Sequence, residues 1–220
     1  MSDNLNRCSN CNTEIKSSVF SSSVQKFTEP KIWLTNLYKE VKSDAYCTKC
    51  GNEDISIAIS KWSNEKESLI NSIKKLIINI PIITIQSPQK WEYSIISIVT
   101  SQSVLGTGLI TEFASSFTDM LGLQSNRFNK KLKEGEDLCF NQLRTEALNL
   151  GANAIIAADI DYSEVGGVKG MLMVCIAGTA INLENIGILG TVINESITQL
   201  KNDYQRLKYL QLHGDITLYA

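Results

Sequence analysis

Four cysteines in two close pairs are the residues of this chain best suited to chemistry. Cys8 and Cys11 are separated by two residues, and Cys47 and Cys50 repeat that spacing. Two thiolates at this spacing can turn back on one tetrahedral ion, and four of them form a closed zinc site with no open coordination position. We therefore predict one structural Zn²⁺ per chain at these cysteines. A redox dithiol or an iron–sulfur centre is the alternative.

The segment between the two pairs is about twice as long as in the usual arrangement of paired CxxC knuckles. Thr28-Glu29-Pro30 is typical of a helix start, with Pro30 near the first helical position. Apolar residues follow at helical spacing: Leu34, Leu37, Tyr38 and Val41. We therefore predict a zinc ribbon over residues 1–60 with a helical insertion. Gly51, directly after Cys50, is interpreted as a permissive backbone position.

The charge balance argues against nucleic acid as a partner of this ribbon. Residues 1–60 hold seven basic and seven acidic side chains, and the whole chain carries a net charge of −2. Phosphate binding requires a clear basic excess. We therefore predict a protein partner for the ribbon, with nucleic-acid binding as the alternative.

The sequence also indicates a compartment. The N-terminus is polar and lacks the apolar core of a signal peptide. The apolar runs are shorter than the roughly 20 residues of a membrane span. Paired cysteines without an export signal favour metal over disulfide. We expect a cytoplasmic protein with no membrane partner.

The elements that must position these residues follow from periodicity. Asn64 and Glu67 have the spacing of a capping box, which predicts a connector helix over residues 61–79, ended by Pro81. Strands are predicted at residues 82–85, 93–100, 154–161 and 171–183.

Three further helices are predicted. One follows the glycine loop at residues 105–108 and runs to Leu121. A second has its apolar stripe from Phe128 to Leu150, with Gly151 as its C-cap. The third covers about residues 191–213 with a heptad-like seam. We expect this last helix to pack on the second domain or on a neighbouring subunit.

Several short motifs in the second half occur together in one known family. They are Leu105-Gly106-Thr107-Gly108, Glu112 and Asp119, Lys131-Leu132, Leu150-Gly151-Ala152-Asn153-Ala154, Asp159-Ile160-Asp161-Tyr162, Gly170-Met171-Leu172-Met173-Val174 and Gly178-Thr179-Ala180. Over residues 80–183, just under half of the chain, the sequence resembles the YbjQ family, a family labelled heavy-metal-binding. The resemblance implies a small α/β domain, similar in shape to a dodecin subunit, that forms a homopentamer. It implies no established enzyme activity.

Four carboxylates form a possible second site. Asp159 and Asp161 are two apart on a predicted strand, and Glu112 and Asp119 are seven apart on a predicted helix, so each pair shares a face. If they converge, they are suited to a hard cation or to acid–base catalysis. The alternatives are solvated surface, turn capping or hydrogen bonds at a subunit interface.

Outside the ribbon, the chain has few soft ligands that would fit the heavy-metal label of the family. Met171, Met173 and Cys175 share one face of a predicted strand, which suits either a soft-metal patch or ordinary sheet packing. Cys139 lies in the apolar stripe of a helix and is predicted to be core. His213 is the only histidine, so the sequence does not support a histidine-based metal site or a Ser-His-Asp arrangement.

Together these observations predict an α+β fold: a zinc ribbon (1–60), a connector helix (61–79), a YbjQ-like domain (80–183), and a C-terminal helix and tail (184–220). The expected function is a non-enzymatic, metal-binding, oligomeric scaffold or binding protein. The alternatives are an enzyme with an acidic site at a subunit interface and a nucleic-acid-binding ribbon.

Overall fold

The structure, a computed structural model, describes residues 7–8, 10–15, 25–105, 123–165 and 171–213. The helices in this part of the chain are α1 (Glu29–Tyr38), α2 (Thr48–Leu76), α3 (Leu123–Asn149) and α4 (Thr191–His213). The strands are β1 (Tyr93–Leu105), β2 (Ala154–Val165) and β3 (Met171–Leu183). Short 3₁₀ helices cover Ile77–Asn79 and Ile186–Leu189. The predicted α+β class is confirmed.

The chain divides into two compact units. Unit 1 combines Met1–Ile73 with Asn202–Ala220, and unit 2 is Lys74–Lys201. Within the described residues, no helix is long and apolar enough to cross a membrane.

In unit 1, α1 begins as predicted, with proline in its first turn. The helix ends at Tyr38, however, so Val41 lies outside it and is 75% exposed. The early end has a local cause. The Asn36 side chain accepts a hydrogen bond from the Ser43 N–H and donates one to the Ser43 carbonyl, which closes a turn directly after the helix.

Helix α2 is much longer than the predicted connector. It starts at Thr48 and continues without a break to Leu76, so Asn64 lies in its interior and does not cap it. The reason is packing. Ile55, Ala58 and Trp62 are buried at spacings of three and four, and they extend the apolar stripe back toward the second cysteine pair.

The core of unit 1 includes a residue from the far end of the chain. Its buried side chains are Phe27, Ile32, Leu34, Tyr46, Ile55, Ala58, Trp62 and Leu210. Leu210 lies on α4 and is 0% exposed. The expectation that α4 packs on the second domain or on a neighbouring subunit is therefore wrong for its last turns, where Leu210 packs in unit 1.

Polar contacts hold the same end of α4 in unit 1. Arg206 donates two hydrogen bonds to the Glu65 carboxylate, from Nε at 2.7 Å and from Nη2 at 3.2 Å. Tyr38 Oη donates to the same carboxylate at 2.6 Å. The hydrogen bond from Arg206 lowers the pKa of Glu65.

Unit 2 is built on a three-stranded antiparallel sheet in the order β1-β3-β2. Alternate residues of its strands pack against α3 and form one buried cluster: Val99, Cys139, Leu143, Ala147, Ala152, Ile155, Val174, Ile176 and Ala180. Cys139 is fully buried there, as predicted. Gly178 is needed for space, because a Cβ on it would lie 2.6 Å from Ile155 Cγ2.

The predicted strand at residues 82–85 does not form a regular ladder. Ile82 makes an isolated parallel bridge to Ile155, and the Ile155 N–H donates to the Pro81 carbonyl at 2.9 Å. Ala157 has a φ of +52°, and the register of β2 shifts between Ile156 and Asp159. The segment still bonds to β2, because the N–H groups of Ala157 and Ala158 donate to the carbonyls of Ile85 and Ile83. The pairing is therefore irregular at the bulge and does not form a regular ladder.

The helix before β2 ends as predicted. Gly151 follows α3 with a φ of +87°, a backbone conformation that residues other than glycine rarely adopt. Residues 106–108 of the predicted glycine loop and the predicted helix that follows it to Leu121 lie outside the described residues.

Candidate metal centre

The first cysteine pair lies in a tight backbone turn. The Cys8 N–H donates to the Thr13 carbonyl at 2.9 Å, and the Asn12 N–H donates to the Cys8 carbonyl at 2.8 Å. Asn12 has a φ of +56°, which asparagine tolerates better than most residues. Arg7 and Glu14 are bridged on either side of the turn. The turn therefore presents both thiols of the pair from a short closed loop.

The second pair lies at the start of α2. Cys47 precedes the helix and is bridged to Lys26, and Cys50 lies in its first turn. Gly51 was expected to supply backbone freedom, but its position is limited by space. A Cβ there would lie 2.8 Å from the Phe27 ring. The helix thus fixes Cys50, while the residues before it fix Cys47.

The four sulfur atoms converge. All of them lie within 4.8 Å of one another. The Sγ–Sγ distances are 3.3 Å for Cys8 and Cys50, 3.6 Å for Cys11 and Cys47, and 3.4 Å for Cys47 and Cys50. None of the four forms a disulfide. Zn–S bonds of about 2.3 Å in a tetrahedron put the sulfurs about 3.8 Å apart, so the spacing suits one such ion.

Backbone amides favour the charged form of Cys8. Burial raises the pKa of this thiol, but the backbone N–H groups of Cys11, Cys47 and Asn10 lower it by more, so its pKa lies below the ordinary value. The N–H of Cys47 is 3.3 Å from the Cys8 sulfur. Such N–H···S contacts reduce the charge that a metal thiolate must carry.

The other thiols differ in how easily they ionise. Cys11 is exposed, and a side-chain hydrogen bond with Thr13 lowers its pKa to about 6. Burial raises the pKa of Cys50, and its hydrogen bonds with the other three cysteines raise it further. Four thiolates cannot all ionise side by side without a cation. A divalent metal would supply that charge and displace the remaining protons.

A polar triangle that was not predicted from the sequence lies beside the cysteines. It consists of the side chains of Asn10, Lys39 and Asp54. Lys39 Nζ donates to Asn10 Oδ1 at 2.9 Å and to Asp54 Oδ2 at 2.6 Å. The third side is a hydrogen bond from Asn10 Nδ2 to Asp54 Oδ2. No spacing rule identifies these residues, because they meet only after α1 and α2 have packed.

The possible carboxylate site is placed only in part. Asp159 and Asp161 lie on the same sheet face, as predicted, and line one groove. Glu112 and Asp119 lie outside the described residues. Among the described residues, the four ribbon cysteines form the only group of three or more His, Cys, Asp or Glu residues close enough to hold a metal ion. The acidic site therefore stays a prediction.

The groove that holds Asp159 and Asp161 is lined by residues of all three strands and by Gln142 of α3, and it has a volume of about 500 Å³. Cys175 lies in it, paired with Asp161 across the sheet, and is partly exposed. Met173 is two residues away on the same strand and is also partly exposed. The soft side chains of this strand thus line an open face of unit 2.

The fold and the cysteine geometry together define an α+β protein with a four-thiolate candidate metal centre. Residues 80–184 match a family model named YbjQ, which is described as "Putative heavy-metal-binding". The resemblance to the YbjQ family is therefore confirmed for this part of the chain. The four clustered cysteines lie outside the matched residues.

A protein of unknown function of the DUF74 family from Pediococcus pentosaceus ATCC 25745 matches 48% of this chain and 98% of its own length. The two sequences are 20% identical, and the TM-score is 0.35.

Proposed function

We propose that this chain is a non-enzymatic, zinc-binding protein that self-associates and serves as a scaffold or binding protein. The observation that carries the zinc assignment is the convergence of four cysteine sulfurs within 4.8 Å. In this proposal Zn²⁺ is structural, one ion per chain, because four protein thiolates leave no position for a substrate.

Ligand chemistry favours zinc at this centre. Four thiolates are soft ligands, and tetrahedral S₄ geometry is typical of zinc or of iron–sulfur sites. Four sulfur atoms within 4.8 Å of one another leave room for a single ion between them. The ribbon is a small part of the chain, and small metal-bound units draw much of their folding free energy from the metal.

The test is metal content by elemental analysis combined with native mass spectrometry under reducing conditions. We expect one zinc per wild-type chain and none in a Cys47→Ser variant. Cys175→Ser is the matched control, since it removes a partly exposed thiol of unit 2, and it should keep its zinc. A wild-type chain without zinc, or a Cys47→Ser variant that retains it, would contradict the proposal.

A different observation supports self-association. β1 is an edge strand of the sheet, and its side chains on the face opposite α3 include apolar ones in contact with solvent. Ile98 is 69% exposed and Val104 is 53% exposed. Long edge strands with exposed apolar side chains favour pairing with another chain. The family resemblance implies a homopentamer, which we adopt as the proposed assembly.

Light scattering tests this part. We expect the wild-type protein to have the mass of a multimer and Ile98→Glu to shift it toward monomer, because a buried charge at an interface is costly. Ile57→Glu is the control, since Ile57 is also exposed, at 49%, but lies on α2. A monomeric wild-type protein would rule out the assembly.

Self-association would give the ribbon a role as a repeated binding element. An assembly of several chains carries several ribbons, which raises avidity for a partner with repeated sites without new contacts. Because the charges of residues 1–60 balance, we propose a protein partner in preference to nucleic acid.

A further inference from the structure

The two cysteine pairs are joined by a second connection besides the sulfur atoms. Asn10 lies between Cys8 and Cys11, and Asp54 lies on α2, the helix that holds Cys50. Residues four apart on a helix share a face, so Asp54 is on the side of α2 from which Cys50 points. The polar triangle of Asn10, Lys39 and Asp54 therefore spans the same two segments that the metal would span.

We propose that the polar triangle is a positioning device for the metal centre: it holds the first cysteine pair against α2 before metal binds, and so sets the affinity of the four thiolates for Zn²⁺. This inference rests on the proposed zinc site. It assigns no metal contact to the triangle, whose three members act only through the backbone around Cys8 and Cys11.

The geometry of the triangle supports this role because each member has two partners. The Asn10 amide donates to Asp54 and accepts from Lys39, so both of its ends are fixed. Asn10 is attached to the loop on which Cys8 and Cys11 lie. Fixing this side chain limits the freedom of that loop, and less conformational entropy is then lost when metal binds.

Lys39 is itself held in place. Its Nζ lies 5.1 Å from the centroid of the Tyr46 ring, and Tyr46 is fully buried next to Cys47. Tyr46 Oη donates to Asn36 Oδ1 at 2.8 Å, which ties the ring to the turn after α1. The triangle is therefore supported by the core of unit 1, and the position of Asn10 does not depend on a loose surface lysine.

The charges of the triangle do not disturb the metal-free site. Lys39 and Asp54 are oppositely charged and together add no net charge beside the thiolates. Both side chains are roughly one-quarter exposed, at 29% and 26%. An isolated pair of this exposure contributes little to stability. In this proposal the Lys39–Asp54 pair acts by holding the Asn10 side chain in place.

The experiment measures Zn²⁺ and Co²⁺ affinity of the full chain by competition with a chromophoric chelator. We expect Asn10→Ala and Asp54→Ala each to weaken binding about tenfold, as is usual for residues that orient metal ligands. Glu53→Ala is the matched control, because it removes an exposed carboxylate from the neighbouring position of α2. It should bind metal like the wild-type protein.

A double variant tests whether the residues act as one unit. Asn10→Ala with Asp54→Ala should lose no more affinity than the weaker-binding single variant, since both break the same triangle. Lys39→Met should also weaken binding, and Lys39→Arg, which keeps a cation with several donors, should restore most of it. Additive losses in the double variant would overturn the proposal.

Two readouts separate the possible failures. If the wild-type protein shows no Co²⁺–thiolate absorption and binds no Zn²⁺, the proposed function fails. If it binds metal but the triangle variants match Glu53→Ala, the positioning role fails alone. The metal-free urea midpoint should be the same in all variants. A midpoint that falls in step with affinity would mean that the triangle merely stabilises unit 1, which also overturns positioning.

Discussion

Leu210 offers the sharpest test of how unit 1 is built. This side chain comes from α4, is 0% exposed, and packs in a core otherwise formed by residues 27–62. Replacing it with alanine removes three carbon groups. At about 0.8 kcal/mol for each buried group, the lost transfer free energy is about 2.4 kcal/mol.

A cavity adds to this loss. The buried cluster that contains Leu210 also includes the large rings of Tyr46 and Trp62, which belong to different segments and cannot both move to fill the space. We therefore add about 1 kcal/mol for the unfilled space and expect Leu210→Ala to cost about 3 kcal/mol. Since domains are stable by about 5–15 kcal/mol, a loss of this size is easy to measure.

The assay is urea unfolding followed by tryptophan fluorescence, with metal removed from every sample. Trp33 and Trp62 lie in unit 1, and a Trp91→Phe background removes the tryptophan of unit 2. Leu212→Ala is the matched control on the same helix. Leu212 is 82% exposed, so its loss should cost less than about 0.5 kcal/mol.

The comparison has a clear negative outcome. If Leu210→Ala lowers the urea midpoint no more than Leu212→Ala does, at an unchanged slope, then the end of α4 does not complete the core of unit 1. The Arg206–Glu65 hydrogen bond, which lies at the same end of α4, would then not reflect stable packing of this helix end in unit 1.

Two further predictions concern an ion pair and a glycine. The Arg206 hydrogen bond lowers the pKa of Glu65 below its ordinary value of 4.5, so the pair should stabilise unit 1 fully above that pH and lose its effect as pH falls through the lowered folded-state pKa. Glu65→Gln should therefore lower the free energy of unfolding by about 1 kcal/mol near pH 7, a modest amount because both groups are partly exposed. The urea midpoints of the variant and the wild type should converge toward pH 3. A difference between the midpoints that does not change with pH would contradict this. Gly178→Ala should destabilise unit 2 by about 1–3 kcal/mol because the new methyl group meets Ile155, whereas Gly187→Ala meets nothing within 4 Å and should leave the thermal midpoint nearly unchanged. Equal midpoints in a differential scanning calorimetry comparison of the two glycine variants would show that the space at Gly178 is not limiting.

Local patterns predicted much of the fold. Helix α4 and strand β3 have the predicted bounds, and the glycine after α3 has the left-handed conformation expected of a C-cap. These features depend on residues close together in sequence. An apolar stripe, a run of β-branched residues or a glycine after a helix can each be recognised without knowledge of the tertiary structure.

The errors arise where tertiary packing overrides local signals. Asn64 and Glu67 have the spacing of a helix start, yet burial of Trp62 and Ala58 continues α2 through them. The stretch at residues 82–85 has the composition of a strand, but a bulge at Ala157 prevents regular pairing. Neither the bulge at Ala157 nor the burial of Ala58 and Trp62 can be recognised from the local sequence pattern.

The metal centre shows the same division. The spacing of Cys8, Cys11, Cys47 and Cys50 predicted a set of ligands, and the structure brings the four sulfurs together. Asn10, Lys39 and Asp54 could not be identified in this way, because they are distant in sequence and of ordinary polar types. Ligand residues are constrained by spacing, whereas residues that orient them are constrained only by the folded geometry.

The division of unit 1 between the two ends of the sequence has a consequence for synthesis. A ribosome releases residues in order, so all of Lys74–Lys201 emerges before the segment that supplies Leu210 and Arg206. Unit 2 is contiguous and can fold as it emerges, while the cysteine-bearing unit must wait with an incomplete core. Metal acquired early would bind a ribbon still lacking its last helix. The order of translation therefore favours folding of unit 2 before the metal-bearing unit is completed.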